Sequence, residues 1–239
     1  IVGVILPLVC KWSDKAVLIT AVILMLQPVE WAKFLYAMNN PDYVAAPGQW
    51  LVHHRNMYPF LGQTDFWAMV KSNLWDGQLF SLLWGWGHGR FFQTASLFLI
   101  GMLIGRRQFF VDLSGHRKFW LRTLLISVVC FIPLYYFTEA LPDLFTNKSM
   151  LSPLNTIFSS FRNFAFMCVL VAVFVFLWQQ VSGHKVLHGL VPYGKMSLTN
   201  YLSQSIIGSF IYFGYGLSLY SELGVAASFG VGIVLFILQ

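Results

Sequence analysis

Charge is what this 239-residue chain has least of. Asp, Glu, Lys and Arg make up only 10% of it, whereas a soluble domain carries about 25% because its surface must be wet. A soluble globular fold would leave most of the outside without polar cover. Acidic residues are the scarcer sign, nine against fifteen basic ones. The three cysteines, Cys10, Cys130 and Cys168, are odd in number, lie in apolar runs and have no CxxC spacing. That leaves no basis for a disulfide framework or a zinc site.

What fills the space is apolar: 57% of residues are hydrophobic and 18% aromatic. The apolar runs fall at about 1–10, 16–37, 79–104, 119–138, 157–181, 198–216 and 223–239. Crossing a bilayer takes roughly 17 to 25 residues of helix, so the pattern predicts an all-α, polytopic transmembrane helical bundle of about seven hydrophobic segments. The chain opens inside an apolar run, lacks an initiator Met and ends on one. It is expected to be a single bundle portion over 1–239, truncated at both ends.

The basic residues orient that bundle. Lys11, Lys15, Arg106, Arg107, Arg117, Lys118, Arg122, Lys185 and Lys195 cluster in the connections 11–15, 105–122 and 182–197. Alternating spans put these on one side, which the positive-inside rule makes cytoplasmic. The positive balance is therefore a topology signal. No nucleic acid is expected as a partner, because the cations are dispersed at helix ends without a binding motif; membrane lipids are.

The long connection at about 39–78 then falls on the extracytoplasmic side. Its first part is rich in turn formers, while Thr64 to Trp75 reads as a short helix opened by Asp65, with Phe66, Trp67, Val70 and Leu74 on one face. Such a helix suits an interface or a cap on the bundle, and a loop this long is a candidate roof over a cavity. His53 and His54, read as extended, point in opposite directions and so do not chelate one metal. With His88 they are the imidazoles that could act as general base, since imidazole titrates near neutrality. No metal site is expected.

Charged and amide groups inside the apolar runs are the other candidates, because polar groups in a membrane face a protein interior or a cavity. Arg90 and Gln93, with Thr94, form a stripe at i, i+3 and i+4. Arg162 and Asn163 enter the run at 157–181 from the same side, so the two arginines could grip a carboxylate or phosphate. Asn200 and Gln204 recur with Gly208 at spacing four. The bland alternatives are snorkelling arginines and amides that bond neighbouring helices. Glu30 pairs most simply with Lys33. Gly101 and Gly105 have GxxxG spacing, which predicts close helix packing within the bundle.

Two segments, GRFFQTASLFLIGMLIGRRQFF (from Gly89) and PYGKMSLTNYLSQSIIGSFIYFGYGLSLY (from Pro192), closely resemble the signature regions of the YeiB-like family. This is a bacterial family of multi-pass membrane proteins labelled as a domain of unknown function. Lys195 stands where members often carry Arg, which keeps the charge and loses bidentate geometry. The family is similar in architecture to transmembrane acyltransferases, including heparan-glucosaminide N-acetyltransferase. The resemblance thus implies transfer of an acyl group from cytoplasmic acyl-CoA, the donor substrate, to an extracytoplasmic glycan or lipid acceptor. It implies earlier spans missing here, and it transfers no catalytic residue. Intramembrane arginines and polar stripes also fit a transporter or lipid-handling protein, and a non-catalytic membrane subunit is the third expectation.

Overall fold

The computed structural model describes residues 3, 5–40, 42–180 and 187–238. Lys185 in the 182–197 connection and the extreme ends of the first and last runs lie outside them. Every regular element among the described residues is helical, as composition required. The α-helices, in chain order, are α1 (Ile5–Val9), α2 (Asp14–Met25), α3 (Pro28–Asn39), α4 (Trp50–Met57), α5 (Phe66–Ser72), α6 (Gln78–Gly87), α7 (Arg90–Arg106), α8 (Arg117–Leu144), α9 (Lys148–Gln179), α10 (Val191–Lys195), α11 (Ser197–Tyr212) and α12 (Val225–Leu238).

Three stretches are long and apolar enough to cross a membrane: Asp14–Asn39, which combines α2 and α3, Arg117–Leu144, and Lys148–Gln179. The run at 79–104 is split between α6 and α7 at Gly89 (φ 64°), and α9 begins well before its apolar stretch. It can start at Lys148 because Asn147 caps it, its Oδ1 accepting from the Ser149 N–H at 2.8 Å. On α8, Leu125, Ile126, Val129, Ile132 and Tyr136 are all half or more exposed. An outward face so apolar is costly in water and natural against lipid. This is a membrane protein.

The chain divides into two compact units, Ile1–Pro47 with Gly85–Gly183, and Gly48–Trp84 with His184–Gln239. In the first, α8 and α9 form a hairpin, α2 packs on α7 and α3 on α9. Val9, Val17, Ala21 and Leu99 make one small core, and Trp120 with Ala172 and Val175 another. The close approach of α2 to α7 is made at Ala21 and Ser96, where the Ser96 hydroxyl donates to the Ala21 carbonyl at 2.8 Å. Gly101 and Gly105 do not serve it: nothing lies within 4 Å of a Cβ added at either. The contact is made instead by Ser96, five positions before Gly101.

In the second unit, Asp65 opens α5 as expected, its Oδ1 accepting from the N–H groups of Trp67 and Ala68 at 2.9 and 3.1 Å. Phe66 and Trp67 are exposed, which gives α5 an apolar outer face, and Leu74 in the turn that follows is exposed too. The chain leaves α11 at Tyr212 and folds back. The Gly214 N–H donates to the Leu61 carbonyl at 2.8 Å, and a Cβ on Gly214 would sit 2.6 Å from the Gln63 oxygen. Only glycine fits there.

Candidate functional site

His53 and His54 are helical, not extended. Trp50 and His54 lie one turn apart on α4 and both place their rings against Phe80, at 6.1 and 5.4 Å between centroids. That shared aromatic seat holds Trp50–Met57 as helix. His54 also meets Tyr58, so its imidazole is part of an aromatic stack.

His53 faces elsewhere. Its Nδ1 lies 2.8 Å from Asp76 Oδ1, with the two side chains 22% and 19% exposed. Asn56, three residues along α4, donates to the same oxygen at 3.3 Å. Asp76 reaches them because Asn73–Gly77 form a π-helical turn between α5 and α6; the wider turn rotates the carboxylate out of α-helical register. The His53 hydrogen bond, followed by that of Asn56, holds the Asp76 carboxyl below the usual carboxylate range. With Asp76 ionised, His53 Nδ1 carries the hydrogen of this contact, and in a neutral imidazole the lone pair then sits on Nε2. A carboxylate that orients an imidazole in this way is the arrangement of a general base.

The chain neighbours of the dyad, though not His53 or Asp76 themselves, line a cavity of about 350 Å³. Its walls include Met57, Phe60, Leu61, Met69, Phe80 and Phe213, and its polar lining residues are Asn73 and Ser81. Met57 is one turn beyond His53 on α4, and Asn73 and Gly77 flank Asp76. Gly77 leaves room for the Asn73 side chain. A Cβ there would collide with the Asn73 amide oxygen and lie 3.4 Å from Met57 Sδ.

The first unit holds a second polar cluster. Gln27 separates α2 from α3 with φ 56° and is fully buried. Its Nε2 donates to the Gly89 carbonyl at 2.9 Å and to Ser160 Oγ at 3.2 Å, while its Oε1 has no hydrogen-bond partner among the described residues. Gln93, also buried, donates to the Ser160 carbonyl at 3.3 Å and accepts from Arg90 Nη1 at 3.2 Å. The expected Arg90–Gln93 stripe is therefore real, and Gln93 joins it to α9.

The other candidates have partners of their own. Arg162 donates to Thr138 Oγ1 at 3.0 Å and lies 3.7 Å from Glu139, so α8 engages it; Asn163 is exposed. Asn200 and Gln204 both turn to Tyr193, one donating to its carbonyl at 3.3 Å and the other to its hydroxyl at 2.7 Å. His88 is half-buried just ahead of the Gly89 break. Glu30 and Lys33 pair at 2.6 Å. Among the described residues no three His, Cys, Asp or Glu side chains gather as metal ligands.

Two functional candidates carried faint sequence signals. Asp76 is an acid at the edge of an apolar run, in a chain with few acids. Gln27 is a lone amide before Pro28 where the run at 16–37 otherwise continues.

The family model described as "Protein of unknown function (DUF418)" matches residues 104–239, which include the whole segment from Pro192 to Tyr220. The Bacillus subtilis (strain 168) "Uncharacterized protein YxaH" is 28% identical over 136 residues, covering 55% of this chain. The matched part spans 30% of that relative's length. No solved structure matches.

Proposed function

The chain belongs to the DUF418 family, which fits the YeiB-like resemblance, and from that premise we propose that it is part of a transmembrane acyltransferase. The reading carries an acyl group from cytoplasmic acyl-CoA to a glycan or lipid hydroxyl or amine on the extracytoplasmic side of a bacterial inner membrane. The basic connections at 11–15, 105–122 and 182–197 face the cytoplasm and the 39–78 connection faces outward.

The observation that carries the proposal is the His53–Asp76 pair at 2.8 Å beside an apolar cavity. Because His53 lies in the outward-facing connection, the thioester end of the donor must extend through the bundle from the cytoplasmic side. There His53 Nε2 removes the acceptor's proton as its oxygen or nitrogen attacks the thioester carbonyl carbon. The carbon–sulfur bond breaks, the CoA thiolate leaves, and the proton held on Nε2 passes to that sulfur. Asp76 keeps the imidazole in one tautomer and stabilises its protonated form. The test is labelled acyl transfer from acyl-CoA to membrane glycans or lipids by the full-length protein in proteoliposomes. Absence of both transfer and acyl-CoA binding rejects the reading.

A second reading, a solute transporter, is favoured by one feature. Helix breaks at Gln27 and Gly89 meet inside the first unit, and interrupted helices are where transporters place their sites. It predicts a solute flux in proteoliposomes that Gln27→Ala abolishes; permeability equal to that of protein-free vesicles counts against it.

A further inference from the structure

We infer that the cavity next to His53 and Asp76 receives the chain of the transferred acyl group, and that this group is medium-length, not acetyl. The inference rests on the acyl-transfer reading above and names the substrate class of that same site.

The lining decides which part of the reactants fits. It contains no charged residue, so the phosphates of CoA have no partner there. A sugar acceptor would bury several hydroxyls against Met, Phe and Leu side chains, and a polar group buried without a hydrogen bond is unfavourable. A hydrocarbon chain has no such requirement. Asn73 and Ser81 are the polar exceptions, and the Ser81 hydroxyl already donates to the Gly77 carbonyl at 2.9 Å.

Size gives the length. A half-open cavity of about 350 Å³ lies in the range of small-ligand pockets. At roughly 30 Å³ for each water-sized group it takes about a dozen carbons. Acetyl would leave most of the space empty and apolar, and such space excludes water. Position gives the direction: Met57 continues the α4 face one turn beyond His53, and Gly77 follows Asp76. A chain whose carbonyl end is held at the dyad would therefore enter the cavity past Met57 and Gly77.

The experiment uses full-length protein in proteoliposomes and a donor series of acetyl-, butanoyl-, hexanoyl-, octanoyl- and palmitoyl-CoA, with kcat/KM measured for each. Burial of each methylene is worth about a fourfold gain, so hexanoyl should exceed acetyl by more than about a hundredfold and palmitoyl should fall back. Ser81→Phe, which narrows the cavity without touching His53 or Asp76, should move the optimum toward acetyl. Met69→Ala, which enlarges it and keeps the test alive if the first variant misfolds, should move it to longer chains. An optimum at acetyl, or a profile that neither variant moves, overturns the inference while acyl transfer stands. No transfer from any donor overturns both.

Discussion

Gln27 and Gly89, sixty-two positions apart, meet as two left-handed residues at two helix breaks: φ is 56° at one and 64° at the other, and Gln27 Nε2 donates to the Gly89 carbonyl at 2.9 Å. Left-handed backbone strains any residue with a side chain, and a Cβ on Gly89 would lie 2.6 Å from Gln27 Oε1 and 2.9 Å from Thr156 Cγ2. Gly89→Ala should therefore lower stability by about 1–3 kcal/mol, read as a drop in the thermal midpoint in detergent. An unchanged midpoint would mean that the break does not need glycine.

Ser160 links the same break to α9 through two separate bonds, its hydroxyl to Gln27 and its carbonyl to Gln93. Removing the hydroxyl leaves a buried amide hydrogen unpaired, at a cost of about 1–3 kcal/mol. A double-mutant cycle of Ser160→Ala and Gln27→Leu should show a coupling of about 0.5–3 kcal/mol. Strict additivity would show that the contact contributes nothing.

Arg106 does more than pair with Asp14. Besides the carboxylate at 2.9 Å it donates to the Trp12 carbonyl at 3.0 Å and to the Cys10 carbonyl, satisfying oxygens where α1 ends. The ion pair is well exposed, and such pairs contribute about 0–1 kcal/mol. Asp14→Asn should thus shift the melting temperature little and less still in high salt, while Arg106→Ala shifts it further. Equal effects of the two substitutions would assign everything to the charge pair.

Much of the architecture was legible in the residues. Scarce charge and long apolar runs gave helices against lipid, Asp65 marked its own helix, and the i, i+3 spacings of Arg90–Gln93 and Glu30–Lys33 became real contacts. These are local relations, fixed by helical geometry once the helix exists. The partners of Gln93 and His53 were not legible, because Ser160 and Asp76 are brought in by packing across 67 and 23 positions. His53 and His54 read as extended because turn formers surround them, yet the aromatic seat on Phe80 outweighs that local signal. A π-helical turn has no sequence signature, and without it Asp76 would not reach His53.

The depressed carboxyl of Asp76 makes a prediction about pH. Its folded-state pKa lies below the ordinary value of 3.8, so its ionised form stabilises the fold at every pH above that value. The contribution is lost as the pH falls from there through the lower folded value. Stability measured by chemical unfolding in detergent should therefore decline over that acidic window, and Asp76→Asn should remove this part of the decline. A decline identical in the variant would place its cause in other carboxylates.

His53, proposed as the general base, is tested by the rate of labelled acyl transfer by full-length His53→Gln beside the parent protein, with acyl-CoA binding determined in parallel. Loss of a positioned general base costs about 10²–10⁴-fold in rate, so transfer should fall within that range while the dissociation constant for acyl-CoA is unchanged. A variant that transfers as fast as the parent would contradict the account.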